Sequence, residues 1–218
     1  MINYEGITFK WLGHDGFLIT SKTGQTVCID PYEVKGNFSP VNILISTHEH
    51  GDHCSPADLA KFTSPDTVIF GIEAAKAKLS PLKKKSLKII KPNTKDKIDS
   101  IDLEFVPAYN INKFRSPGKP FHPKEDNKVG VILTIDGIRV YHAGDTDIIP
   151  EMKNFKPHVA LIPVSGTYVM TAKEAIEAVA ILQPKLAIPM HFGAIVGDKS
   201  MAKEFKDGAS CEVIIPTL

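Results

Sequence analysis

Apolar residues fall in short runs along the first third of the chain, cut by glycine, proline and polar clusters. Residues 7–12, 17–20, 26–30 and 42–47 read as strands, with Gly13, Gly16, Gly24, Pro31 and Gly36 as the breaks. The run 41–46 is apolar and ends at a small polar residue, the pattern of a buried strand running out into a loop. Ser55-Pro56 sets an N-cap before proline at the first helical position, which predicts a short helix over 57–62. A strand over 67–70 and a helix over 73–79, stopped at Ser80-Pro81, complete this part.

A second group of strands follows at 87–91, 101–106, 129–135 and 138–142, the last two joined by Asp136-Gly137, a two-residue hairpin signal. The stretch 109–127 is polar, rich in proline and glycine, and long for a structureless connection, which marks a functional loop or lid. The last third alternates. A strand over 158–164 precedes the capping box Thr171-Ala-Lys-Glu174 and a helix to about Leu182. A strand over 186–191, a helix over 198–206 and a strand over 211–216 close the chain. Many strands with interspersed helices predict a layered α/β protein with mixed sheets, without internal sequence repeats.

Length, at 218 residues, fits one domain spanning 1–218. A net charge of +1 gives no reason to expect a nucleic-acid or membrane-surface partner, and the lysines at 83–85 read as a solvated loop. Cys28, Cys54 and Cys211 are too few for a disulfide framework, which fits a reducing compartment. No signal peptide is visible near Met1, and no apolar run approaches the ~20 residues of a membrane span. The expected location is the cytoplasm.

The chemistry concentrates at residues 47–54, Thr-His-Glu-His-Gly-Asp-His-Cys, directly after the buried strand. His48, His50, Asp52 and His53 supply the imidazole and carboxylate donors that zinc, iron and manganese accept. In an extended segment, residues two apart point the same way, so His48 and His50 can grip one ion from one side. Two further strands end in comparable residues beside a glycine: Asp145 in Tyr-His-Ala-Gly-Asp-Thr, and His191 in Ile-Pro-Met-His-Phe-Gly.

These motifs in this order, with Trp11-Leu-Gly-His14 near the start, resemble the metallo-β-lactamase superfamily over nearly the whole chain. The segments 141–146 and 162–170 are similar to small metal-dependent hydrolases related to ascorbate-6-phosphate lactonase. The resemblance implies a four-layer αββα sandwich, two mixed sheets flanked by helices. It also implies two divalent metal ions, with zinc expected and manganese or iron as alternatives. His48 and His50 would hold one ion, Asp52, His53 and His191 the other, and Asp145 would bridge them. A hydroxide held between the ions would attack an ester, lactone or phosphodiester bond of a small molecule, with Asp52 accepting or shuttling a proton.

The chain departs from the family at the third histidine of the first ion. The segment 106–110 carries none, so His122 is the expected ligand, with the Asn110 side-chain oxygen as the alternative. His14 and His142 are expected near the ions without ligating them, and Tyr168 against the substrate or in packing. Cys54 reads as buried and inert, His158 as a surface residue, and Thr146 and Asp147 as loop-shaping residues that cap the next helix. Lys113, Lys119 and Lys124 would suit a single phosphate, which leans the substrate towards a phosphorylated lactone or a phosphodiester. A non-catalytic metal or redox protein and a nuclease of the same superfamily are the alternative functions. Related lactonases form oligomers, so a homo-oligomer is the assembly the resemblance suggests.

Overall fold

The computed structural model describes residues 1–218 and divides the chain into two compact units, Met1–Lys91 with Thr217–Leu218, and Pro92–Pro216. In the first unit, strands β1 (Ile2–Tyr4), β2 (Ile7–Gly13), β3 (Gly16–Thr20), β4 (Thr26–Ile29), β5 (Ile43–Ser46), β6 (Val68–Ile72) and β7 (Ser86–Ile90) form one seven-stranded sheet in chain order. β1 to β4 pair antiparallel, and β4 to β7 pair parallel. Parallel strands need crossovers. Here they are the loop 30–42, the short helix α1 (Pro56–Leu59) with a 3₁₀ turn, and α2 (Lys76–Leu79) after another. The Ser55 hydroxyl caps α1 through the Asp58 amide, with Pro56 in its first turn.

The second unit repeats this plan in a different sequence. Its strands are β8 (Thr94–Ile98), β9 (Ile101–Pro107), β12 (Val129–Ile135), β13 (Ile138–His142), β14 (Val159–Pro163), β15 (Leu186–Met190) and β16 (Glu212–Val213). Their order is β16-β15-β14-β13-β12-β9-β8. The antiparallel part runs from β8 to β13, and the parallel part from β13 to β16. Helices α3 (Ala172–Leu182) and α4 (Lys199–Gly208) make the last two crossovers. Thr171 and Glu174 form the predicted capping box of α3. Asp136 and Gly137 turn with φ of 50° and 81°, as a two-residue hairpin of the primed kind requires.

Two strands, β1 and β8, escape the sequence reading, because Ile2–Tyr4 is short and β8, Thr-Lys-Asp-Lys-Ile, has a single apolar residue. The stretch 109–127 is more ordered than a bare loop. It holds a small hairpin, β10 (Phe114–Ser116) with β11 (Lys119–Pro120), and a 3₁₀ turn at Lys124–Asp126. β5 is buried at every position, and so are β14 and β15. Strands buried on both faces have no polar side chain to spare, so the chemistry-bearing residues collect where these strands run out.

Candidate metal centre

In the first unit the site begins at Asp30, just past β4. Its backbone is left-handed, φ 45°, and its carboxylate faces the end of the neighbouring parallel strand β5. Asp30 Oδ1 accepts the Thr47 amide at 2.8 Å, and Oδ2 accepts the Thr47 hydroxyl at 2.5 Å and His53 Nδ1 at 2.9 Å. A carboxylate can only accept, so His53 carries a proton on Nδ1, and the neutral imidazole then has its lone pair on Nε2. The Thr47 hydroxyl points its hydrogen at Asp30. At 3.1 Å from His48 Nδ1 it therefore accepts, which fixes the same tautomer on His48. His48 and His53 are buried. His48 Nε2 lies 3.1 Å from His50 Nδ1, and His53 Nε2 lies 3.5 Å from Asp52 Oδ2.

The β2–β3 turn adds His14 and Asp15, both buried. His14 sits at φ 48°, and its Nε2 is 3.2 Å from Asp52 Oδ2. Trp11 Nε1 donates to the His14 carbonyl at 2.9 Å and braces that turn. Asp15 Oδ2 lies 3.7 Å from His53 Nδ1. The donor atoms of His14, Asp52 and His53 lie within 4.8 Å of one another. Burial raises the Cys54 thiol above its ordinary pKa, and Cys54 is buried.

The second unit is built around Asp145. Its Oδ2 lies 3.2 Å from His122 Nε2 and its Oδ1 3.5 Å from His191 Nε2. His191 has left-handed backbone, φ 58°, at the turn after β15. Its Nδ1 is 2.8 Å from the Ser165 hydroxyl, which donates onward to the Thr167 carbonyl at 3.2 Å. His191 Nδ1 is therefore the donor, and Nε2 the acceptor. His122 is set by Asn110, whose Oδ1 accepts both the His122 amide, at 2.8 Å, and Nδ1, at 2.9 Å. Asn110 Nδ2 donates to Asp147 Oδ1 at 3.2 Å and to the Tyr168 carbonyl at 2.8 Å, which settles the orientation of the amide. Asp147 also accepts the Ile111 and Asn112 amides at 2.6 and 2.8 Å. The histidine of the long loop is thus tied, through Asn110, to the segment that carries Asp145.

Two sequence-based expectations need revision. Thr146 and Asp147 do shape the loop, but neither caps the following 3₁₀ helix, Pro150–Asn154, which has no side-chain cap. Thr146 donates instead to the Tyr109 and Asp147 carbonyls. His158 is half-buried rather than a plain surface residue, and its Nδ1 accepts the Arg139 amide at 2.9 Å. His142 is buried and accepts the Gly144 amide. Lys113 and Lys124 are engaged in ion pairs with Glu174 at 2.7 Å and Glu151 at 2.9 Å. Asp30, Asp15 and Ser165 were missed. Asp30 left one trace, an aspartate before proline at the end of an apolar strand; Ser165 left none.

The donor set passes a simple test for a metal. Ligand atoms 2.0–2.1 Å from a shared tetrahedral ion lie roughly 3.3–3.4 Å apart. The contacts above, 3.1, 3.2, 3.5 and 3.5 Å, bracket that value. The Nε2 lone pairs of His53, His122 and His191 face carboxylate oxygens, an arrangement that positive charge between them stabilises.

The comparisons agree. A family described as a β-lactamase superfamily domain matches residues 8–191. A UPF0173 metal-dependent hydrolase of Staphylothermus marinus is 32% identical, over 90% of this chain and 88% of its own length. One from Pyrococcus furiosus is 31% identical, over 95% of this chain and 100% of its own. A crystal structure from Parabacteroides distasonis has 33% identity and a TM-score of 0.82, covering 97% of this chain and 93% of that one. Igni18, a metallo hydrolase from Ignicoccus hospitalis, shares the fold at 23% identity and a TM-score of 0.73, with 96% and 94% covered. The chain belongs to the metallo-β-lactamase superfamily and has its fold. Within it, the chain groups with the UPF0173 metal-dependent hydrolases. No helix is long and apolar enough to cross a membrane.

Proposed function

We propose that the chain hydrolyses an ester-type bond of a small molecule with a pair of divalent cations, zinc first among them. His48, His50 and His122 would hold one ion, and Asp52, His53 and His191 the other, with Asp145 common to both. The observation that carries this reading is the hydrogen-bond partner that lies at Nδ1 of each of His48, His53, His122 and His191. Such partners orient ligating imidazoles and raise their basicity. When bound, the ions supply an activated water and Lewis-acid stabilisation of the charge that develops on the attacked group.

The protein's own part is positioning and proton transfer. Asp52 Oδ2, partly exposed and 3.2 Å from His14 Nε2, would take a proton and pass it to His14. Asp30 and Asn110 hold their imidazoles so that no reorganisation is needed as the reaction proceeds.

Metal analysis of purified protein, together with hydrolysis assays before and after chelation, tests the proposal. The expectation is about two ions per chain, fewer in Asp145→Ala, and activity that disappears with the metals and returns on their addition. Hydrolysis that persists after complete metal removal would contradict it.

A further inference from the structure

We propose that the loop carrying His122 binds an apolar, uncharged acyl group, so that the substrate is a carboxylic ester or lactone and not a phosphorylated compound. This rests on the hydrolase reading above and names the substrate class of that same site. The reaction balances with water alone. The water oxygen bonds to the acyl carbon, the acyl carbon–oxygen bond breaks, the alcohol oxygen leaves with a proton, and a carboxylic acid remains.

Phe121 immediately precedes His122, and its half-buried ring meets Tyr168 edge to face at 4.7 Å. The Tyr168 backbone is left-handed, φ 69°, a conformation that a bulky side chain adopts only when its surroundings impose it, and often at functional sites. The Tyr168 carbonyl accepts from Asn110 Nδ2, the same amide whose oxygen holds His122. One side chain thus holds both His122 and the backbone of the aromatic residue that packs on Phe121. On the same loop, Ile111 and Phe114 are 49% and 48% exposed, more apolar surface than the loop's own packing requires.

The cations that would serve a phosphate are committed elsewhere. Lys113 binds both Glu174 oxygens, and Lys124 binds Glu151 and lies 4.6 Å from the Tyr109 ring centre. Arg115 donates to the Phe121 carbonyl at 3.1 Å and lies 5.9 Å from its ring centre, so it supports that ring. Only Lys119, exposed in the hairpin, is left of the loop lysines singled out above.

The test compares metal-loaded wild type, Phe121→Ala and Phe121→Leu on p-nitrophenyl butyrate, bis(p-nitrophenyl) phosphate and 6-phosphogluconolactone. Binding of 4-phenylbutyramide, followed by calorimetry, gives a readout independent of turnover. The expected wild type prefers the butyrate ester. Phe121→Ala raises KM for it about tenfold, with kcat and metal content little changed, and weakens the amide to a similar degree. Phe121→Leu restores most of both. Preference for either phosphorylated substrate, or an unchanged KM in Phe121→Ala, overturns the inference while the hydrolase reading stands. Loss of metal in Phe121→Ala would also overturn it, by showing a structural role. No hydrolysis of any of the three by the metal-loaded protein would sink the hydrolase reading, and this inference with it.

Discussion

At the scale of single residues, the account turns on groups that can only accept a hydrogen bond. Asp30 and the Asn110 carbonyl oxygen settle where His53 and His122 keep their protons, and the oriented Thr47 and Ser165 hydroxyls do so for His48 and His191. Removing such a partner costs typically 10- to 100-fold in metal affinity. Asn110→Ala is therefore expected to weaken one ion by that factor and leave the other tightly held, a split that a competitive chelator titration resolves. Equal affinities in wild type and variant would show that Asn110 does not govern His122. The candidate donors at 48–53, 145 and 191 stood out in the sequence because each lies at or just past a strand end with a glycine nearby. Their supports did not, since a serine or asparagine in a turn looks the same whether or not an imidazole later leans on it.

At the scale of elements, most strands were legible from apolar runs and turn residues. β12 and β13 match their expected bounds, 129–135 and 138–142, because largely apolar runs flank Asp136-Gly137. The helices of the first unit were less so. The expected helix over 57–62 is one α-turn followed by 3₁₀ geometry, since residues 56–62 are too short to sustain a regular helix. Gly130 shows what the pattern hides. A Cβ there would lie 2.7 Å from the Ala143 carbonyl and 2.9 Å from that of His142, so β12 needs glycine to pass the strand end leading to Asp145. Gly130→Ala should destabilise the protein by about 1–3 kcal/mol in chemical denaturation, the usual cost of overpacking. A change within error would mean that the strand end yields freely.

At the scale of the whole molecule, the two units share one topology, an antiparallel run extended by parallel strands, although the sequence shows no repeat. Function-bearing turns follow the parallel strands in both, at Asp30 and Thr47 in one and at Asp145, Ser165 and His191 in the other. Burial pushes the Glu174 carboxyl upward, but Lys113, the Thr171 amide and Asn112 outweigh it and hold the pKa at about 2. A carboxylate held low in the folded state stabilises the fold fully above its unfolded pKa, and this is lost as pH falls through the folded value. Stability should decline from about pH 4.5 towards 2 on this account. Glu174→Gln should flatten that part of a melting-temperature profile; an identical slope in the variant would remove Glu174 from the explanation.

The most direct test of the central claim is anomalous diffraction from crystals of the metal-loaded protein, collected at the metal's absorption edge. Two peaks are predicted, one ligated by His48, His50 and His122, the other by Asp52, His53 and His191, with Asp145 reaching both. A single peak, or peaks that leave Asp145 and His191 outside the ligand sphere, would contradict the assignment.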